Sequence, residues 1–257
     1  MDVESHLQGT ILAQFADHGV NLNGLIIPGR SIEGALSRHA FNLIVNNDDD
    51  VFKVSLVGSA TAVRYRDREI LLATQHQLRG IDESQVAMLT DSGSHIITSG
   101  GLRRYPERSD TDAHDIVAFD FTEPCADWPE LKKRFFDLNR RPPDVLNIHV
   151  LALLLSGFPF YDQTYEIHEN NHLGIARRNV VCLPQSQPSD HALLTVKAVH
   201  PVEKHPDGMS GGSAFVIQLE GERPHAYFAG IIVRGGKDTF HILKAGVVIE
   251  FLNAAFS

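Results

Sequence analysis

The sequence predicts an all-β chain folded as two antiparallel β-barrels, and three observations carry that expectation. From residue 51 onward short β-branched and apolar runs such as "VFKVSLV", "EILLA" and "DIVAFDF" are separated by glycine, proline and polar turns. A segment of different texture, "CADWPELKKRFFDLNRRPPD" at 125–144, mixes helix formers with a closing Pro-Pro and splits this region in two. Strand texture then returns in "NIHVLALLLSGF", "GIARRNVVCL", "HALLTVKAVH", "SAFVIQL" and "AYFAGIIVRGG". Many short strands with turn signals between them pack as closed sheets rather than as helical layers.

Each element follows in order. The amino-terminal stretch "VESHLQGTILAQFADHG" places Leu7, Ile11, Leu12 and Phe15 at helical spacing and ends on a glycine. It predicts a partly helical extension over 1–50 that packs on the barrels or docks a partner. "NNDDD" at 46–50 is a solvated turn. The first barrel is expected over 51–124, with a hairpin turning at Arg66–Glu69 and strands near 85–89, 94–98 and 115–121. The 125–144 connector follows, then the second barrel over 145–257, closed by a short helix at 246–256.

Composition bounds the partners. A chain of 257 residues with 43% hydrophobic and 21% charged residues buries a sizeable core. Its net charge of −9 repels phosphate backbones, which argues against nucleic acid as a partner. The longest apolar run, "VLALLL" at 150–155, is far too short to span a bilayer, so no membrane partner is expected. The amino terminus is acidic where a secretory signal is basic. Cys125 and Cys182 are therefore expected as reduced, buried thiols, and the location as cytoplasmic.

The chemistry concentrates around "HPDGMSGGSAFV" at 205–216. A phosphate-binding P-loop needs lysine after its second glycine, whereas Ser213 follows Gly212; a dinucleotide loop opens a helix, whereas "SAFVIQL" is strand-like. What remains is Ser210 flanked by glycines that let backbone and substrate approach closely. A serine hydroxyl is a weak nucleophile and needs a base, itself oriented by a third group. His76 stands at the end of the apolar run "ILLATQH", and Asp115 opens the alternation Ile116, Val117, Ala118, Phe119. Asp112 and Asp120 compete for the role of Asp115, and Ser213 for that of Ser210.

Four ordered patches resemble the chymotrypsin/trypsin-like serine peptidases, in particular their bacterial, HtrA-like branch. "GSATAV" at 58–63 resembles the strand before the family's histidine. "LLATQH" at 71–76 is similar to its "LTAAH", "DIVAFDF" at 115–121 to its "DIALL", and "GMSGGSAFV" at 208–216 to its "GDSGGP". "AGIIVRGG" at 229–236 resembles the strand that walls the specificity pocket. The resemblance implies a chymotrypsin-like double barrel in which Ser210 is the nucleophile, His76 the general base and Asp115 the group that orients it. It also implies an oxyanion hole from the N–H groups of Gly208 and Ser210. The S1 pocket would have Lys204 at its floor and Val233, Arg234 and Gly235 as its wall, with a preference for an acidic P1 residue. No metal or organic cofactor is implied. The partners expected are a protein or peptide substrate and a regulatory protein that restrains a free protease.

This chain departs from the secreted members in three places. Met209 stands where an aspartate pairs with a new amino terminus, Thr74 and Gln75 replace small residues, and the cysteines flanking the histidine are missing. Two other functions compete. One is a trypsin-fold binding module without catalysis. The other is a zinc peptidase built on "HENNH" at 168–172, a motif that needs a helix although its flanks read as strand.

Overall fold

The computed structural model describes residues 19–47, 49, 53–90, 93–105, 111–138, 149–166, 172–185 and 190–257. The helix expected over the amino-terminal residues lies outside them, as do residues 168–171 of "HENNH". The description begins with a hairpin of β1 (Gly19–Leu22) and β2 (Leu25–Pro28). Its two-residue turn is Asn23-Gly24, both with positive φ (51° and 88°), as the twist of a tight hairpin demands. A short helix, Ile32–Ser37, leads into the first barrel.

That barrel is built from β3 (Ala40–Asn46), β4 (Val54–Tyr65), β5 (Arg68–Ala73), β6 (Val86–Leu89), β7 (Ile96–Thr98), β8 (Gly101–Arg104) and β9 (Val117–Asp120). Their order in the sheet is β7-β6-β3-β4-β5-β9-β8. Only Ser99 and Gly100 separate β7 from β8. Their N–H groups donate to Val86 on β6 (3.1 Å) and to Asp120 on β9 (2.8 Å), so one bent run closes the ring. The sheet therefore begins at Ala40, within the segment expected to be an extension.

The connector carries a helical turn at Pro129–Lys132 and β10 (Phe136–Asp137), which pairs in parallel with β4. The second barrel follows, from β11 (Val150–Gly157), the small hairpin β12 (Gln163–Glu166) and β13 (His172–Ile175), then β14 (Arg178–Pro184), β15 (Leu193–Ala198), β16 (Ser213–Glu220), β17 (Arg223–Gly235) and β18 (Thr239–Lys244). The order β16-β11-β14-β15-β18-β17 returns on itself through the pairing of β16 with β17. The hairpin β1–β2 extends this sheet, with β1 parallel to β17. The chain ends in the helix Ala245–Ala255.

Strand alternation sorts the core. Leu71 and Ala73 of β5, with Val117 and Phe119 of β9, fill the first barrel; their neighbours Ile70, Leu72 and Ala118 face the second. Ala214 and Val216 of β16 fill the second barrel, whereas Phe215 and Ile217 join the layer between the two. Val248, Phe251 and Leu252 of the final helix belong to that same layer. Cys125 packs in the first barrel and Cys182 in the second; both are unpaired.

Candidate active site

The pairing of β5 with β9 explains why His76 and Asp115 meet. Ala73 stands opposite Val117, so the residues just after β5 and just before β9 emerge at the same edge. There the chain forms the 3-10 turn Gln75–Leu78, with Thr74 as its N-cap, and the 3-10 turn Asp112–His114. Asp115 accepts two hydrogen bonds from one residue: Oδ1 from the His76 backbone N–H (2.9 Å), and Oδ2 opposite Nδ1 of the ring (2.6 Å). An imidazole held this way carries its proton on Nδ1 and leaves Nε2 as an acceptor. Neither competitor has this geometry. Asp120 is bound by Arg68 (2.7 Å) and Thr122 (2.6 Å), and Asp112 forms an ion pair with Arg234.

Ser210 approaches from the second barrel, in the loop entering β16. His76, Asp115, Gly208 and Ser210 line one cleft of about 1280 Å³ between the barrels. The Ser210 hydroxyl donates to the Val233 carbonyl at 3.2 Å. Ser213, by contrast, is fully buried as the first residue of β16, and its hydroxyl has no partner among the described residues.

The loop around Ser210 is held by its carbonyls. Those of Asp207, Gly208, Met209, Ser210, Gly211 and Gly212 accept, in turn, from Phe160 N–H (2.8 Å), Ser59 Oγ (2.6 Å), Gly212 N–H (2.9 Å), Gln77 Nε2 (2.7 Å), Thr61 Oγ1 (2.8 Å) and Ile232 N–H (2.8 Å). In a trans peptide the N–H points away from the carbonyl. Anchoring the Asp207 carbonyl on Phe160 therefore turns the Gly208 N–H away from that anchor. Met209, Gly211 and Gly212 donate their N–H groups within the second barrel, whereas those of Gly208 and Ser210 have no acceptor among the described residues. Gly208 adopts φ +95°, and a Cβ there would stand 2.7 Å from the Phe158 carbonyl, so glycine is required.

Val233, Arg234 and Gly235 also line the cleft. Lys204 does not. It is exposed, with its Nζ 5.3 Å from the centre of the Tyr161 ring, an arrangement that keeps the cation hydrated and on an aromatic face. His114 packs at a tilt against Tyr105 (4.5 Å between centroids) and is half-buried. Ser59, Thr61, Gln77 and Phe160 are site residues that the sequence did not single out. Ser59 lies in the quoted "GSATAV" and Gln77 directly follows His76, but neither residue type advertises a contact in the other barrel.

Neither a family model nor a curated sequence matches this chain. Among solved structures, human heparin binding protein matches it with a TM-score of 0.53, over 85% of this chain and 91% of that one, at 6% sequence identity. A likeness at such identity carries the fold alone: this chain has the all-β, two-barrel chymotrypsin-like fold with a short carboxy-terminal helix.

Proposed function

We propose that the chain is a trypsin-like serine endopeptidase, acting in the cytoplasm on a restricted set of protein substrates under the restraint of a protein partner. The observation that supports it best is the shared cleft: the doubly bonded His76–Asp115 pair, Ser210, and the Gly208 and Ser210 N–H groups, which have no acceptor among the described residues. In this proposal the Ser210 hydroxyl leaves the Val233 carbonyl and turns to Nε2 of His76. As Oγ bonds to the scissile carbonyl carbon, its proton passes to Nε2, and Asp115 stabilises the imidazolium. The carbonyl oxygen becomes an oxyanion within reach of the Gly208 and Ser210 N–H groups, each contributing roughly 3 kcal/mol to the transition state. His76 then gives the proton to the leaving amine as the C–N bond breaks. Water, deprotonated by the same nitrogen, releases the acyl group from Ser210.

One observation favours the binding-module alternative: Ser210 bonds to Val233 and not to His76 among the described residues. Resting hydrogen bonds in peptidases are often loose and tighten only with substrate, so the peptidase remains the better supported function. The heparin in the structural neighbour's name is a polyanion, and a net charge of −9 works against the same ligand here. Incubation with a proteome-derived peptide library tests the proposal. Discrete new termini with the wild type and none with Ser210→Ala support it; no cleavage by folded wild type, or cleavage that survives Ser210→Ala, overturns it.

A further inference from the structure

We infer that Gln77 is the positioning residue that locks the histidine turn of the first barrel to the nucleophile loop of the second, an inference that rests on the peptidase proposal. Its amide uses its whole hydrogen-bonding capacity. Oε1 accepts from the backbone N–H (3.0 Å) and the hydroxyl (2.7 Å) of Thr74, while Nε2 donates to the carbonyls of Ser210 (2.7 Å) and Ser59 (3.2 Å). A primary amide offers two acceptor and two donor positions, and all four are taken. The partners also fix which way round the amide lies, since the Thr74 N–H only donates and the two carbonyls only accept.

Space for the amide is made by two glycines. A Cβ on Gly58 would fall 2.2 Å from Nε2, and one on Gly211 would fall 2.8 Å from Oε1. Both have positive φ, +150° and +80°, so side chains are disfavoured there on backbone grounds as well. The first barrel thereby reaches across to hold the carbonyl of Ser210 itself, with the Ser59 N–H adding a longer bond to the same oxygen (3.3 Å).

The consequence is geometric. Gln77 is bonded in sequence to His76 and hydrogen-bonded to Ser210, so one short side chain ties base to nucleophile, beside the bonds that Ser59 and Thr61 make to the neighbouring carbonyls. No substrate contact is assigned to it; it acts through its two neighbours. A misplacement of about 1 Å between reacting groups costs on the order of a hundredfold in rate. Gln77→Glu retains size and the acceptors for Thr74, but removes both donors and sets a negative charge against two carbonyls. Gln77→Met retains volume and removes every hydrogen bond.

The test measures the second-order rate of fluorophosphonate labelling, kcat and KM on a cleaved peptide, and the melting temperature, for wild type and both variants. The expected result is folded variants whose labelling rate and kcat fall by about tenfold to a hundredfold while KM stays within about twofold. Folded variants that label at the wild-type rate overturn the inference alone. So does a rise in KM with kcat unchanged, which would make Gln77 a substrate contact. A wild type that labels with no fluorophosphonate removes the peptidase proposal and takes this inference with it.

Discussion

The Ser210 hydroxyl and the Val233 carbonyl are joined at 3.2 Å, and the irregularity of β17 makes that contact available. The register between β17 and β18 slips between Ile232 and Arg234, so Val233 falls outside the regular ladder and its carbonyl is left to accept from elsewhere. Rotation about one side-chain bond moves Ser210 Oγ between staggered positions, so departure from Val233 needs no backbone movement. The bond is the resting position of the proposed nucleophile, beside a His76 ring that Asp115 already aligns.

Asp115→Asn tests that alignment. An amide in place of the carboxylate cannot accept from both the His76 ring and its backbone N–H, and it favours the wrong tautomer. Activity should fall by about 10⁴-fold with the fold intact. The check is kcat on a cleaved peptide beside a circular dichroism spectrum.

Gly208→Ala tests the unpaired N–H groups. The φ of +95° and the 2.7 Å approach to the Phe158 carbonyl force the loop to shift, which withdraws an N–H from the cleft. A loss of about 10²–10³ in kcat is expected, with KM little changed. Steady-state kinetics on one peptide measures both.

Val233, Arg234 and Gly235, the proposed specificity wall, give a third prediction. Gly235 stands opposite Phe240, and a Cβ on Gly235 would fall 2.5 Å from that buried ring, so the aromatic packs directly against the wall beside Ser210. Small P1 residues are expected. Phe240→Ala should admit larger ones, and Lys204→Ala should leave the preference unchanged, both read from cleavage-site logos.

Acid stability should depend on His39. Its ring is buried against Phe136 and Phe215 (5.2 and 5.8 Å between centroids), with Nδ1 2.6 Å from the Arg134 carbonyl. Burial holds its pKa down to about 4, against the opposing effect of that hydrogen bond and aided by the nearby arginines 38, 134 and 177. The unfolded chain, titrating near the ordinary value of about 6.5, takes up a proton where the folded protein does not. Stability therefore falls as pH drops from about 6.5, and the loss levels off below about 4 at on the order of 3 kcal/mol. His39→Asn should remove this dependence. Urea midpoints across that range measure it, and parallel curves for the two proteins would contradict it.

Much of this site was legible because its signals are local. The alternation around Asp115 and the apolar run before His76 follow strand periodicity, and they mark His76 as ending one strand and Asp115 as opening another. What the sequence concealed are pairings that join distant segments. "AFNLIV" reads as part of the extension because nothing local shows that Ala40 pairs with Thr61 or that Ile44 pairs with Ala87. The parallel contact of β1 with β17 links residues with no shared pattern. Gln77 is the sharpest instance, since a glutamine after a histidine carries no sign that its amide bonds to a carbonyl in the other barrel. Lys204 illustrates the converse: its distance in sequence from Ser210 locates a residue along the chain but not the side of the loop on which it emerges.

The most direct test of the account is the intact mass of the protein after treatment with a fluorophosphonate, followed by peptide mapping. A single phosphonyl adduct on Ser210 of the wild type is expected, greatly slowed by His76→Ala and absent in Ser210→Ala. A folded wild type that gains no mass, or an adduct carried by any residue other than Ser210, would contradict it.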